Sequence, residues 1–128
     1  MENPKTNILT LRQQRCLFTR LVCEFGVWAF NNGYELSFGE VERGIAQAKA
    51  NAASGAGIAN SLHLLGLAVD FNLYIAGVYQ EDSEAHAPLA AKWKSMHSLN
   101  RWGGDFKDRH GNPKPDGNHY SSERGGVK

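Results

Sequence analysis

The sequence predicts a small α+β protein folded as one domain over residues 1–128, and three features of the chain carry that expectation. Residues 9 to 32 place apolar side chains at helical spacing, residues 67 to 75 alternate apolar with polar, and a length of 128 residues suits a single hydrophobic core. A content of 41% hydrophobic and 21% charged residues is ordinary for a globular chain, so composition gives no reason to expect a disordered or fibrous one.

The first element is a long packing helix. Leu11, Leu17, Phe18, Leu21, Val22, Phe25, Trp28 and Ala29 recur close to a 3.6-residue period, Thr10 is a suitable N-cap and Gly33 a suitable stop. Cys16 and Cys23 fall within it, roughly 10 Å apart along the axis, too far for a bridge, and are read as small buried hydrophobes. The stretch YELSFGEVER, 34 to 43, has the aromatic and β-branched character of a strand with a bend at Gly39, and Arg43 falls at its end. Residues 44 to 60 begin as an alanine-rich helix and break at Ser54-Gly55 and Gly57 into a loop that leads to Ser61 and His63. After the alternating strand, Ala76-Gly77 reads as a hairpin turn into Val78 and Tyr79. HAPLAAKWKSMHSLNRW, 86 to 102, carries a second helical pattern with Pro88 in its first turn. From Gly103 onward the chain is rich in Gly, Asp, Asn, His and Pro, yet it retains Phe106 and Tyr120; beyond Tyr120 no apolar strand pattern is evident.

A formal net charge of +1, with Lys and Arg scattered along the chain, argues against a nucleic-acid partner held by bulk charge. No run of 18 apolar residues occurs, so membrane insertion is not expected, and the opening residues MENPKTNILTLRQQR lack the apolar stretch of a secretory leader. The chain is therefore expected to stay in the cytoplasm of the cell that makes it until something else releases it, and to act as a monomer.

Chemistry concentrates in SLHLLGLAVDFNLY, 61 to 74, where Asp70 sits mid-strand beside apolar Val69 and Phe71. A carboxylate buried there is costly unless a charge or several donors meet it. A turn at Gly66 would bring His63 back over the face that carries Asp70, and in DGNHY the spacing of Asp116 and His119 lets both point to one place. Two imidazoles and one carboxylate form the usual open set for catalytic zinc, and a divalent cation would neutralise Asp70. Asp116, held near the metal without ligating it, would then move a proton. Each feature has an ordinary reading as well. Backbone N–H groups at a turn also satisfy a buried Asp; Asp-Gly-Asn is good turn chemistry; His86, His97 and His110 suit surface or hydrogen-bonded roles; Arg43 suits a solvated strand end; and WGGDF, 102 to 106, suits a tight turn anchored by aromatics.

Taken in order these segments are more specific. SLHLLGLAVDF resembles the S-x-H-x-x-G-x-A-x-D-[FIL] signature of the zinc D-alanyl-D-alanine carboxypeptidase (VanY-like) and L-alanyl-D-glutamate endopeptidase family. WGGDF and DGNHY follow in the order seen in its short phage lysis enzymes, and VERGIAQ resembles the segment carrying a substrate-facing arginine. The resemblance spans roughly residues 38 to 120 and implies helices packed on one side of an antiparallel sheet, with a zinc cleft on the other. It further implies one Zn2+ held by His63, Asp70 and His119, Asp116 as general acid/base, Arg43 on the oxyanion or a substrate carboxylate, and Ser61 bonding the peptide. Asp116 is one methylene shorter than the glutamate of many relatives, and His110, which follows Asp108 closely, is a rival third ligand.

The implied function is a phage-type endolysin that hydrolyses a peptide bond of the bacterial peptidoglycan stem, L-alanyl-D-glutamate above others. A D-alanyl-D-alanine carboxypeptidase or dipeptidase is the alternative within the enzyme class. A non-catalytic, metal-stabilised wall-binding or tail protein is the alternative outside it, disfavoured because a structural zinc takes a fourth protein ligand rather than a nearby base.

Overall fold

A computed structural model describes residues 8–39 and 62–128. The expected alanine-rich helix over 44 to 60, the strand end at Arg43 and the loop residue Ser61 lie outside the described residues.

Helix α1 (Leu11–Asn31) starts at a reciprocal cap: the Thr10 hydroxyl accepts the Gln13 N–H at 3.1 Å and the Gln13 side chain accepts the Thr10 N–H at 2.9 Å. It buries Gln14, Phe18, Leu21, Phe25 and Ala29, a stripe at three- and four-residue intervals. Cys16 and Cys23 are exposed, contrary to the expectation for them. Each stands two residues from its nearest stripe members, about 200° around the axis from them, which places both on the solvent side. Buried Gln14 is satisfied across the fold, donating to Ser122 Oγ and to the Glu123 carbonyl, both at 2.8 Å.

The chain then forms β1 (Tyr34–Phe38), β2 (Ala68–Ile75) and β3 (Val78–Tyr79), with Ala76 and Gly77 both at positive φ, +51° and +78°, as a tight hairpin demands. Helix α2 (Ala87–Met96) follows a 3-10 turn at Ser83–His86, and β4 (Asn100–Trp102) and β5 (His119–Ser122) complete the sheet. All pairings are antiparallel in the order β1-β2-β5-β4, with β3 on the distal half of β2.

Two expectations fail at the C-terminal half. The second helix ends at Met96 rather than running to 102, and residues 100–102 are a strand. Asn100 Nδ2 donates to the Trp93 carbonyl at 2.8 Å and His97 Nδ1 accepts the Leu99 N–H at 3.0 Å, so side chains take over helix-end hydrogen bonding and free Asn100–Trp102 to pair with β5. The polar tail supplies β5, a strand between β2 and β4 with all four residues buried. Its alternation is hidden because both of its faces are covered, which removes the half-polar pattern that periodicity detects.

Leu67, just before β2, and the odd positions Val69, Phe71 and Leu73 within it pack under α1 with Phe25, Trp93 and Tyr120, whose rings meet within 5.3 to 6.2 Å. Beside this cluster the fully covered His86 places Nδ1 2.8 Å from the Tyr120 hydroxyl. Burial pushes the phenol up and lowers the His86 imidazole from 6.5 to about 4. Folding thus favours neutral His86, and its contribution is complete above pH 6.5 and lost as pH falls through 6.5 toward 4. With a chelator present to exclude metal binding, the melting midpoint is expected to drop by about 5–10 °C across that window. A His86→Gln variant, less stable at neutral pH, is expected to show a much flatter curve there; parallel curves in a calorimetric pH series would assign the loss to another group.

Candidate metal centre

Alternation along β2 sends Val69 and Phe71 into the core and Asp70 to the opposite face. The register pairs Asp70 with His119, and Val69 with Tyr120, so β5 offers its histidine to the same face and its tyrosine to the core. His63 arrives from the turn before β2. There Gly66 takes φ +72°, its N–H bonds the His63 carbonyl at 3.3 Å, and the Leu67 N–H bonds the Leu62 carbonyl at 3.0 Å. This is the fold-back at Gly66 that the sequence suggested.

The three side chains meet. His63 Nε2 and His119 Nδ1 each lie 3.4 Å from Asp70 Oδ1, and one donor atom from each residue falls within 4.8 Å of the others. The imidazoles are 97% and 93% covered and their ring centroids stand 5.2 Å apart. A separation of 3.4 Å is long for a hydrogen bond. It matches the edge of about 3.3–3.4 Å expected between neighbouring ligands on a tetrahedral ion with bonds of about 2.0–2.1 Å. Asp70 Oδ1 is buried with no hydrogen-bond partner among the described residues, so the oxygen that faces both imidazoles is the one a cation would satisfy. Burial alone would raise the Asp70 carboxyl, but the two imidazoles outweigh it and hold the group at about 2, ionised at any working pH. The donor set therefore fits one divalent metal ion held by these three side chains. His119 Nε2 is buried without a hydrogen-bond partner among the described residues, and the ring is oriented by packing against His63 and, at 5.2 Å, Phe106.

Asp116 is exposed on the turn that leads into His119, its N–H bonded to the Gly103 carbonyl at 2.8 Å and its carbonyl accepting the His119 N–H at 3.1 Å. The run 102–106 is the tight turn expected of it, a 3-10 segment at Gly103–Asp105, but its contact with the Asp116 turn had no local signal. A Cβ on Gly103 would stand 2.0 Å from the Asp116 carbonyl oxygen and 2.8 Å from the His119 Cβ, so only glycine allows this approach. His110 is exposed and takes no part; its N–H bonds Asp108 Oδ1 at 2.8 Å within its own turn. Arg43 and Ser61 lie outside the described residues. Larger cavities, of about 840 Å3 near Leu9 and Leu99 and about 530 Å3 between α1 and β1, include none of these groups. A smaller one of about 240 Å3 is lined by Asp116 with Tyr79, Gln80, Glu81 and Ser83.

Residues 54–122, more than half of the chain, match the family described as D-alanyl-D-alanine carboxypeptidase. The fold is similar to the crystal structure of the L-Ala D-Glu endopeptidase ChiX of Serratia marcescens, with a TM-score of 0.70 and 23% identity over 88% of this chain and 83% of that one. No curated protein matches the sequence. Among the described residues no helix is long and apolar enough to cross a membrane.

Zinc at about 100 times its dissociation constant is expected to raise the melting midpoint by about 10 °C, and Asp70→Ala to abolish that rise. Gly103→Ala, which leaves every donor in the chain, is expected to destabilise the metal-free protein by about 1–3 kcal/mol and to blunt the zinc response. Scanning calorimetry with and without chelator reads both, and an intact zinc response in Asp70→Ala would remove the carboxylate from the site.

Proposed function

Because the chain belongs to the D-alanyl-D-alanine carboxypeptidase family, we propose that residues 1–128 form one zinc peptidase domain acting on bacterial peptidoglycan. The bond we assign is L-alanyl-D-glutamate in the stem peptide, and the biological setting a phage endolysin, working as a monomer and reaching the wall after release from the host cytoplasm. The observation that carries the reading is the pair of imidazole nitrogens 3.4 Å from one buried carboxylate oxygen; Asp116, exposed three residues before His119, is the carboxylate we assign as the base. A catalytic ion, with one coordination place left to solvent or substrate, is the reading we take over a purely structural one.

When bound, zinc would polarise the scissile carbonyl and make an attacking water more acidic. His63, Asp70 and His119 would hold it. Asp116 takes the proton released as water attacks and returns it to the departing amine, a role suited to a carboxylate that stays in contact with solvent. Arg43 stabilises the negative charge developing on the carbonyl oxygen or binds a substrate carboxylate, and Ser61 bonds the peptide backbone. A second reading, removal of a terminal D-alanine, is favoured by the description of the matched family.

Mass spectrometry of purified peptidoglycan after digestion separates the two. Cleavage at L-alanyl-D-glutamate creates new D-glutamate amino termini, whereas carboxypeptidase action releases free D-alanine; a chelator is expected to stop either. Asp116→Asn is expected to lower turnover by about 10²–10⁴-fold while the zinc-induced rise in melting temperature persists. Undiminished turnover in that variant would show that another group carries the proton.

A further inference from the structure

The turn that presents Asp116 and His119 is gripped from outside by a segment that no motif marks. On its inner side the Trp102 indole N–H donates to the Gly117 carbonyl at 2.7 Å, and the Asp116 N–H reaches the Gly103 carbonyl at 2.8 Å. On its outer side the Gly117 N–H donates to Ser83 Oγ at 3.0 Å, and three residues further on the Tyr120 hydroxyl meets His86 Nδ1 at 2.8 Å. Ser83 and His86 open and close the one 3-10 turn Ser83–His86, and in that helix positions three apart lie on the same side. The two contacts therefore join residues of equal separation on both partners, 83 to 117 and 86 to 120. The fit is close: a Cβ on Gly117 would come within 2.4 Å of Ser83 Cα and 2.7 Å of its Oγ.

The geometry points to Ser83 and His86 as positioning residues, a two-point clamp that fixes the chain just after Asp116 and just after His119. The inference rests on the peptidase reading for its kinetic consequences, though its effect on the ion does not. Ser83 acts through the Gly117 N–H, which shares a peptide plane with the Asp116 carbonyl that accepts the His119 N–H at 3.1 Å, so the plane that follows Asp116 is held at both edges, and the Trp102 indole holds the next plane at the Gly117 carbonyl. His86 acts through Tyr120, and the Tyr120 ring on the core side of β5 sets how far the His119 imidazole projects on the other. Neither residue needs to touch substrate or metal. Small displacements matter because proton transfer and metal coordination both demand sub-ångström placement.

Two measurements on the full-length, zinc-loaded protein test the clamp. Ser83→Ala is expected to lower kcat for peptide release by about 10–100-fold with KM within about twofold, and Ser83→Thr, which restores the hydroxyl acceptor, to recover most of it. Unchanged kcat in Ser83→Ala, or equal loss in both variants, would overturn the Ser83 contact as a positioning one. Tyr120→Phe keeps the buried ring and removes only the hydroxyl; in a competition assay with a zinc chelator it is expected to bind zinc about 10-fold more weakly. Wild-type zinc affinity in that variant would overturn the His86 contact. If the unaltered protein released no peptide at all, the peptidase reading would fall, while the zinc competition would still decide the clamp.

Discussion

A carboxylate in the middle of a strand whose reverse face is the hydrophobic core sets the terms for the rest of this molecule. Asp70 stands between Val69 and Phe71, both buried under α1, and its own side chain is only 16% exposed. Isolated burial of that charge would cost several kcal/mol, more than a small domain can readily spare. The structure meets it with two imidazoles at equal distance, and leaves the facing oxygen without a hydrogen bond among the described residues. A charge arranged in this way is stabilised most by a cation shared among all three side chains. The same requirement explains the left-handed Gly66, because His63 reaches Asp70 only if the chain reverses between them.

Strand β5 carries the other half of the arrangement. Its alternation puts His119 on the face with Asp70 and Tyr120 into the aromatic cluster of Phe25, Trp93 and Phe71. Core and site are therefore two sides of one short strand, and a shift that repacked Tyr120 would move the histidine with it. The surrounding turns are packed at contact distances that exclude a single extra carbon, at Gly103 against the Asp116 turn and at Gly117 against Ser83. Such close packing converts a polar, glycine-rich tail into a rigid support without a helix or a long strand. Family membership fits this picture, since the matched residues 54–122 include these strands and turns.

The parts of the fold that could be read in advance are those where one face of an element meets solvent and the other meets the core. Helix α1, with its Thr10 cap and Gly33 stop, and strand β2, with its buried odd positions, keep an amphipathic pattern for that reason. The hairpin at Ala76-Gly77 was legible through Gly77, which takes φ +78° at no steric cost between two apolar runs. His63, Asp70 and His119 were legible as donor types at recognisable spacing, and the family's order of motifs then linked them.

What the sequence by itself determined, then, is which donor side chains could gather and which local conformations bring them near their strands. Tertiary structure alone decided that residues 100–102 leave the helical pattern, that the polar tail supplies an inner strand, that Cys16 and Cys23 face solvent, and that His119 rather than His110 completes the set. It also decided that Ser83 and His86 reach across 34 residues to Gly117 and Tyr120. Periodicity records only how one segment divides its faces between oil and water, whereas these outcomes depend on pairing between segments distant in the chain, where hydrogen bonds and close contacts are satisfied by partners that no local window contains.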